Sequence, residues 1–121
     1  MLSCIAVGLG GFLGAVLRYL IGLIPLDLDS GFPIKTFIIN IVGCFAIGLI
    51  TAAAAKNNNM NSNLVLFLKV GICGGFTTFS SFALETADLI KAGSVGVAVL
   101  YAVLSLVIGS LAVLAAQALV R

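Results

Sequence analysis

Apolar residues fall into four long blocks separated by short polar stretches. The first runs from about Leu2 to Leu23 and ends at Pro25 and the polar group Asp27, Asp29 and Ser30. The second extends from about Thr36 to Ala55 and is stopped by Lys56-Asn57-Asn58-Asn59. The third begins near Leu64 and reaches about Ile90, and the fourth covers roughly Val95 to Val120. A bilayer core of about 30 Å requires about 20 residues of helix. The pattern therefore predicts an all-α, single four-helix transmembrane domain over residues 1–121, with spans at about 2–23, 36–55, 64–90 and 95–120.

Composition agrees and removes other classes. Hydrophobic residues make up 62% and charged residues 8% of 121 residues, whereas a soluble domain carries about 25% charged side chains. The net charge of +2 is too small for a nucleic-acid footprint, so no nucleic-acid partner is expected. His is absent, so no nucleophile–base pair or metal cluster that needs imidazole can be assembled, and the chain is not expected to be an enzyme. Cys4, Cys44 and Cys73 are far apart in apolar runs and read as small buried hydrophobes. No basic segment precedes the first apolar block, which argues against a cleaved signal peptide.

Lys and Arg usually crowd the cytoplasmic loops. Here Lys56, Lys69 and Arg121 belong to one side, and Lys35, Lys91 and Arg18 to the other, a tie of three against three. Either the bias is weak, or the chain inserts in both orientations and makes an antiparallel pair. Four short helices enclose little, and many transport proteins use inverted repeats with a site near the midplane. No internal duplication is visible, so a second copy would supply the inverted half. The spacings Gly10/Gly14 and Gly71/Gly75 permit close helix contact.

The third block carries the unusual chemistry. Gly74-Gly75-Phe76-Thr77-Thr78-Phe79-Ser80-Ser81-Phe82 puts two glycines and four hydroxyl residues near mid-span. About 27 residues of straight helix would be about 40 Å long, so a break at the glycines is expected. Broken backbone at that depth must be buried in protein or line a watery cavity. Where two antiparallel copies cross, freed carbonyls would form a cage for one monovalent cation. The competing arrangement is a continuous helix whose Ser and Thr bond back to the preceding turn. Phe79 and Phe82 share one helix face. Ring edges carry weak positive potential that suits a small anion, although helically spaced Phe also serves simple packing. Asn40, the amide within the second block, offers a donor or an interhelical hydrogen bond. Ser105, Ser110 and Tyr101 add hydroxyls to the fourth. Arg18 and Glu85 should face a vestibule or a partner, or else sit at the interface, with Glu85 and Asp88 at an exposed helix end.

Gly10-Gly11, Gly14-Ala15 and Arg18-Tyr19, then Thr36, Asn40 and Gly43, then the stretch Gly74–Phe82 resemble the Fluc (CrcB) fluoride channels in all four helices and in order. The resemblance implies an antiparallel, dual-topology homodimer in a bacterial-type inner or plasma membrane that exports fluoride passively through two pores. It implies that Phe79 and Phe82 are the pore phenylalanines and Asn40 the pore amide. Ser81 and Ser105 would contribute to a polar track, Glu85 would stand near its outer end, and Arg18 would lie toward an aqueous vestibule. The carbonyls of Gly74 and Thr77 from both subunits would hold a structural sodium ion. The family often has Thr where Ser81 stands, a change that keeps the hydroxyl. A small multidrug-resistance-type proton-coupled cation exporter is the alternative, but it needs an intramembrane acid, usually in the first span, where this chain has Arg18.

Overall fold

The computed structural model describes residues Met1 to Arg121 and is entirely helical. Helix α1 spans Leu2–Gly22 and α2 spans Ile34–Lys56. The third span divides into α3, residues 62–76, and α4, Phe79–Lys91. Helix α5 spans Val95–Val120. All four spans are long and apolar enough to cross a membrane, and the chain is a multi-pass membrane protein.

The ends of these helices follow local chemistry. Pro33 stands at the start of α2, where a missing N–H costs nothing. Asn61 opens α3 by accepting the Asn63 N–H at 2.8 Å. Gly93, with φ of 85°, ends α4 in a Schellman motif: the Gly93 N–H reaches the Ile90 carbonyl at 3.0 Å and the Ser94 N–H reaches that of Leu89 at 2.8 Å. Lysines complete two other ends. Lys35 Nζ donates to the Gly22 carbonyl at 3.0 Å, and Lys56 Nζ to that of Val120 at 3.2 Å.

Only 11 of the 121 residues are buried, and a large share of the Leu and Val side chains point outward. Such a surface suits acyl chains, and helix contact then depends on small residues that bring backbones together. Helix α1 packs along α3 through the two expected glycine pairs. A Cβ on Gly71 would stand 2.8 Å from Gly10 Cα, and one on Gly75 would stand 2.5 Å from the Gly11 carbonyl oxygen. Helix α2 packs along α5, where a Cβ on Gly48 would meet the Val113 carbonyl oxygen at 2.7 Å.

Two expectations need correction. The helix breaks at Thr77-Thr78, not at Gly74-Gly75. Gly74 has helical angles (φ −65°, ψ −38°), while Thr77 (φ −82°, ψ 158°) and Thr78 (φ −149°, ψ 120°) are extended. Gly75 is needed for the approach of α1, and the turn is made by the hydroxyl residues that follow. A π-helical stretch, Phe67–Cys73, also precedes the break. The second correction concerns the cysteines: Cys73 is buried and Cys44 half-buried, but Cys4 is exposed on the outer side of α1.

Candidate functional site

The break is stabilised by side chains from elsewhere in the fold. Thr78 gives its N–H to Asn40 Oδ1 at 2.9 Å, and Asn40 Nδ2 donates to the Thr78 carbonyl at 3.2 Å. Thr78 Oγ1 in turn caps α4 by accepting the Ser81 N–H at 3.1 Å. In a continuous helix the Thr78 N–H would go to the Gly74 carbonyl and the Ser81 N–H to that of Thr77. Both carbonyls lose those donors. The two alternating carbonyls fare differently, since Gly75 accepts Arg18 Nε at 3.1 Å and Thr78 accepts Asn40. Polar backbone in a membrane interior must find partners. Gly74, which is exposed, Thr77 and also Phe76, whose helical donor would be the Ser80 N–H, are thus left without their helical donors.

Two cavities meet at Thr78. The inner one, about 610 Å³, is bordered by Asn40, Cys44, Gly74, Thr77, Phe79, Phe82 and Ser105. The outer one, about 730 Å³, is bordered by Arg18, Asp27, Phe32, Lys35, Thr36, Ser81, Glu85 and Asp88. Arg18, Glu85 and Ser81 thus face one vestibule, while Asn40, Phe79, Phe82 and Ser105 face the chamber behind it. Ser81 borders the vestibule and not the cavity of the two phenylalanines, because residues two apart on a helix lie about 200° apart and Ser81 falls opposite Phe79.

Phe79 and Phe82 are neighbours, with ring centroids 5.7 Å apart and planes at 53°. Phe82 presses edge-on against Tyr101 at 4.9 Å and 63°. Phe79 is 79% exposed at the open side of the inner cavity. Ser105 Oγ is the one buried side-chain polar atom without a hydrogen-bond partner. Ser105 borders the cavity, but its hydroxyl oxygen is itself buried and lacks the back-bond to the preceding turn that a helical Ser commonly makes. A buried hydroxyl without a partner is costly.

Glu85 is not at an exposed helix end. Its Oε2 accepts Thr36 Oγ1 at 2.8 Å and its Oε1 accepts the Tyr101 hydroxyl at 2.9 Å, linking α2, α4 and α5. Asp88 is exposed at the vestibule edge. Arg18 borders the vestibule, and its hydrogen bond to the Gly75 carbonyl ties α1 to α3 just before the break. Neither the bracing of Thr78 by Asn40 nor the Thr36–Glu85–Tyr101 cluster is evident from the sequence. The first had a partial signal, since Thr is a favoured N-cap residue. The second joins residues from three separate helices and leaves no local trace.

A bundle of four membrane helices with an interrupted third span and uncharged polar groups around an open-sided cavity defines a polytopic membrane protein. Residues 5–117 match the family model described as "CrcB-like protein, Camphor Resistance (CrcB)", and the chain belongs to that family. Among its relatives, the "Fluoride-specific ion channel FluC" of Ruminiclostridium cellulolyticum is 50% identical over 107 residues, which is 88% of this chain and 82% of that protein. The protein of the same name from Azobacteroides pseudotrichonymphae is 43% identical over 109 residues, 89% of this chain and 87% of that one. The one from Agrobacterium fabrum is 42% identical over 122 residues, covering 100% and 98%.

Proposed function

We propose that this protein is a fluoride-selective channel of the cell membrane, a conduit and not an enzyme, that lets fluoride leave the cytoplasm passively. One observation carries the chemistry: the chamber at the helix break is bordered by the amide of Asn40, by Thr77, Thr78 and Ser105 and by the rings of Phe79 and Phe82 among apolar side chains, and by no formal charge. Fluoride is small and strongly hydrated, so a pore must replace its water with close donors. Fixed cations would hold it too tightly, whereas neutral donors let it bind and leave. Acidic surroundings supply hydrogen fluoride, which crosses membranes and dissociates inside. The inside-negative potential then drives the trapped anion out.

In this reading Arg18 raises the anion concentration in the vestibule, and Ser81 and Glu85 border the route inward. The Asn40 amide spends one N–H on Thr78 and has a second to offer. Ser105 gives its uncommitted hydroxyl, and Phe79 and Phe82 present ring edges. Glu85, already held by Thr36 and Tyr101, does not resemble the free carboxylate that a proton-coupled drug exporter needs, and the family assignment gives that alternative no support.

The functional unit is an antiparallel homodimer in the bilayer, with copies inserted in both orientations. Its support is the three-against-three charge tie together with the outward-facing Phe79 beside a chamber that one chain leaves open. A structural sodium ion fits the same surface. The Gly74 and Thr77 carbonyls, deprived of their helical donors, are hard oxygen ligands of the kind a monovalent cation takes, and no cluster of acidic or sulfur ligands competes for it. When bound, the cation supplies positive charge that joins the breaks of two subunits.

The test is fluoride efflux from liposomes loaded with potassium fluoride and given valinomycin. Rapid discharge by the purified protein, absent from empty vesicles, is expected. Vesicles that retain fluoride in the presence of the protein would reject the function.

A further inference from the structure

Tyr101 is fully buried (0% exposed) and is gripped on two sides by aromatic rings. Phe82 comes from the chamber at 4.9 Å. The other ring belongs to Phe32, on the connection between α1 and α2, at 5.3 Å and 73°. Phe37 backs Phe32 in turn at 5.4 Å and 71°. We propose that Phe32 is a positioning residue for the ion pathway: it fixes the Tyr101 ring so that its hydroxyl stays on Glu85 and its edge stays on Phe82. The proposal rests on the channel reading and names a residue of the connection that acts on the pathway without touching the ion.

The connection is shaped to deliver that ring. Gly31 has φ of 81°, a left-handed turn that favours glycine. Its N–H bonds to the Leu28 carbonyl at 3.0 Å, and the Phe32 N–H reaches Ser30 Oγ at 3.3 Å. Pro33 follows and restricts Phe32 to extended backbone. The side chain is thereby aimed inward over the vestibule, where Phe32 forms part of the wall.

The consequence follows from leverage. A phenol hydroxyl lies at the far end of a rigid ring, so a modest tilt of Tyr101 displaces its oxygen from Glu85 Oε1. A hydrogen bond weakens steeply once it leaves good alignment. Loss of the Phe32 edge contact permits that tilt, leaves Glu85 held by Thr36 alone, and loosens Phe82. A ring that only filled space would be replaceable by any apolar side chain of similar size.

Phe32→Leu keeps apolar bulk and removes the aromatic contact, and Phe32→Tyr keeps the ring. Aromatic pairs of this kind correspond to about a three- to tenfold effect, so Phe32→Leu is expected to lower fluoride flux by about that factor, with Phe32→Tyr near wild type. Tyr101→Phe should lower flux in the wild-type background and add little in Phe32→Leu, because both disturb one unit. Losses that multiply independently, or a Leu variant equal to wild type, would overturn the proposal. A second readout needs no transport. The chain has two tyrosines and no tryptophan, so Tyr19→Phe leaves Tyr101 as the sole tyrosine emitter. Its fluorescence, quenched by the carboxylate partner, should rise when Phe32→Leu is added, and unchanged emission would overturn the assignment. A wild-type protein that passes no fluoride would remove the channel premise, and the emission result would still report on the Phe32–Tyr101–Glu85 arrangement.

Discussion

Asn40 is the side chain on which the interrupted helix most depends, and its removal has a calculable effect. Its amide makes two hydrogen bonds to Thr78, at 2.9 and 3.2 Å. Neutral hydrogen bonds contribute about 1 kcal/mol each in water, and about 0.6 kcal/mol on average between membrane helices. Asn40→Ala therefore costs the broken conformation about 1–2 kcal/mol. The Thr78 N–H, once released, has the Gly74 carbonyl as its natural partner, so the cost is assigned to the break and favours a healed helix. At about 1.4 kcal/mol per factor of ten, the broken form loses roughly five- to thirtyfold against that alternative. Through this shift fluoride efflux from liposomes should fall by up to that factor, with the thermal midpoint of the detergent-solubilised protein little lowered. Asn40→Asp is a sharper probe. It keeps the acceptor for the Thr78 N–H, removes the donor to the Thr78 carbonyl, and sets a negative charge beside the chamber. Two like charges about 4 Å apart repel by about 4 kcal/mol at an effective dielectric of 20, enough to stop fluoride while the fold survives. Wild-type flux in both variants would refute the bracing role and the pore role together.

Further outcomes are expected at the other sites. Phe82→Ile and Phe79→Ile should each depress fluoride flux sharply while monodisperse protein is still recovered on size exclusion, and undiminished flux in both would reduce the rings to packing. Gly75→Ala should lower the thermal midpoint by an amount matching about 1–3 kcal/mol, because its Cβ would stand 2.5 Å from the Gly11 carbonyl oxygen. Gly74→Ala meets nothing within 4 Å inside the chain, so it should spare the subunit and weaken dimer formation, read as a shift toward monomer in cross-linking. In a background with Cys4, Cys44 and Cys73 replaced by Ala, Arg121→Cys should be labelled by an impermeant maleimide from both sides of the membrane. Labelling from one side alone would contradict dual topology.

The span limits were legible because a membrane imposes one strong demand, length of apolar helix. The fourth span is observed as read, from Val95 to Val120. The second begins two residues before its expected start at Thr36, since Lys35 is polar yet can bond back to the Gly22 carbonyl from inside the helix. The third extends to Ser62 and Lys91, beyond the 64–90 read from hydropathy, because Asn61 and Gly93 set its ends by capping. The break was legible in kind but not in place. Glycine propensity pointed to Gly74-Gly75, while packing against α1 kept those residues helical and the bonds of Asn40 moved the interruption to Thr77-Thr78. The residues of the inner chamber were legible through their chemistry, since hydroxyls and an amide are out of place among Leu and Val. The Glu85 cluster was not, because its members meet only when α2, α4 and α5 pack.

The central claim is that uncharged donors and ring edges at the broken helix select fluoride. A planar bilayer holding the protein between sodium fluoride and an equal concentration of sodium chloride that contains a small known amount of fluoride tests it in one number, the zero-current voltage. It should lie close to the fluoride equilibrium potential, with chloride contributing almost nothing. A voltage near zero, reporting equal passage of the two halides, would contradict the claim.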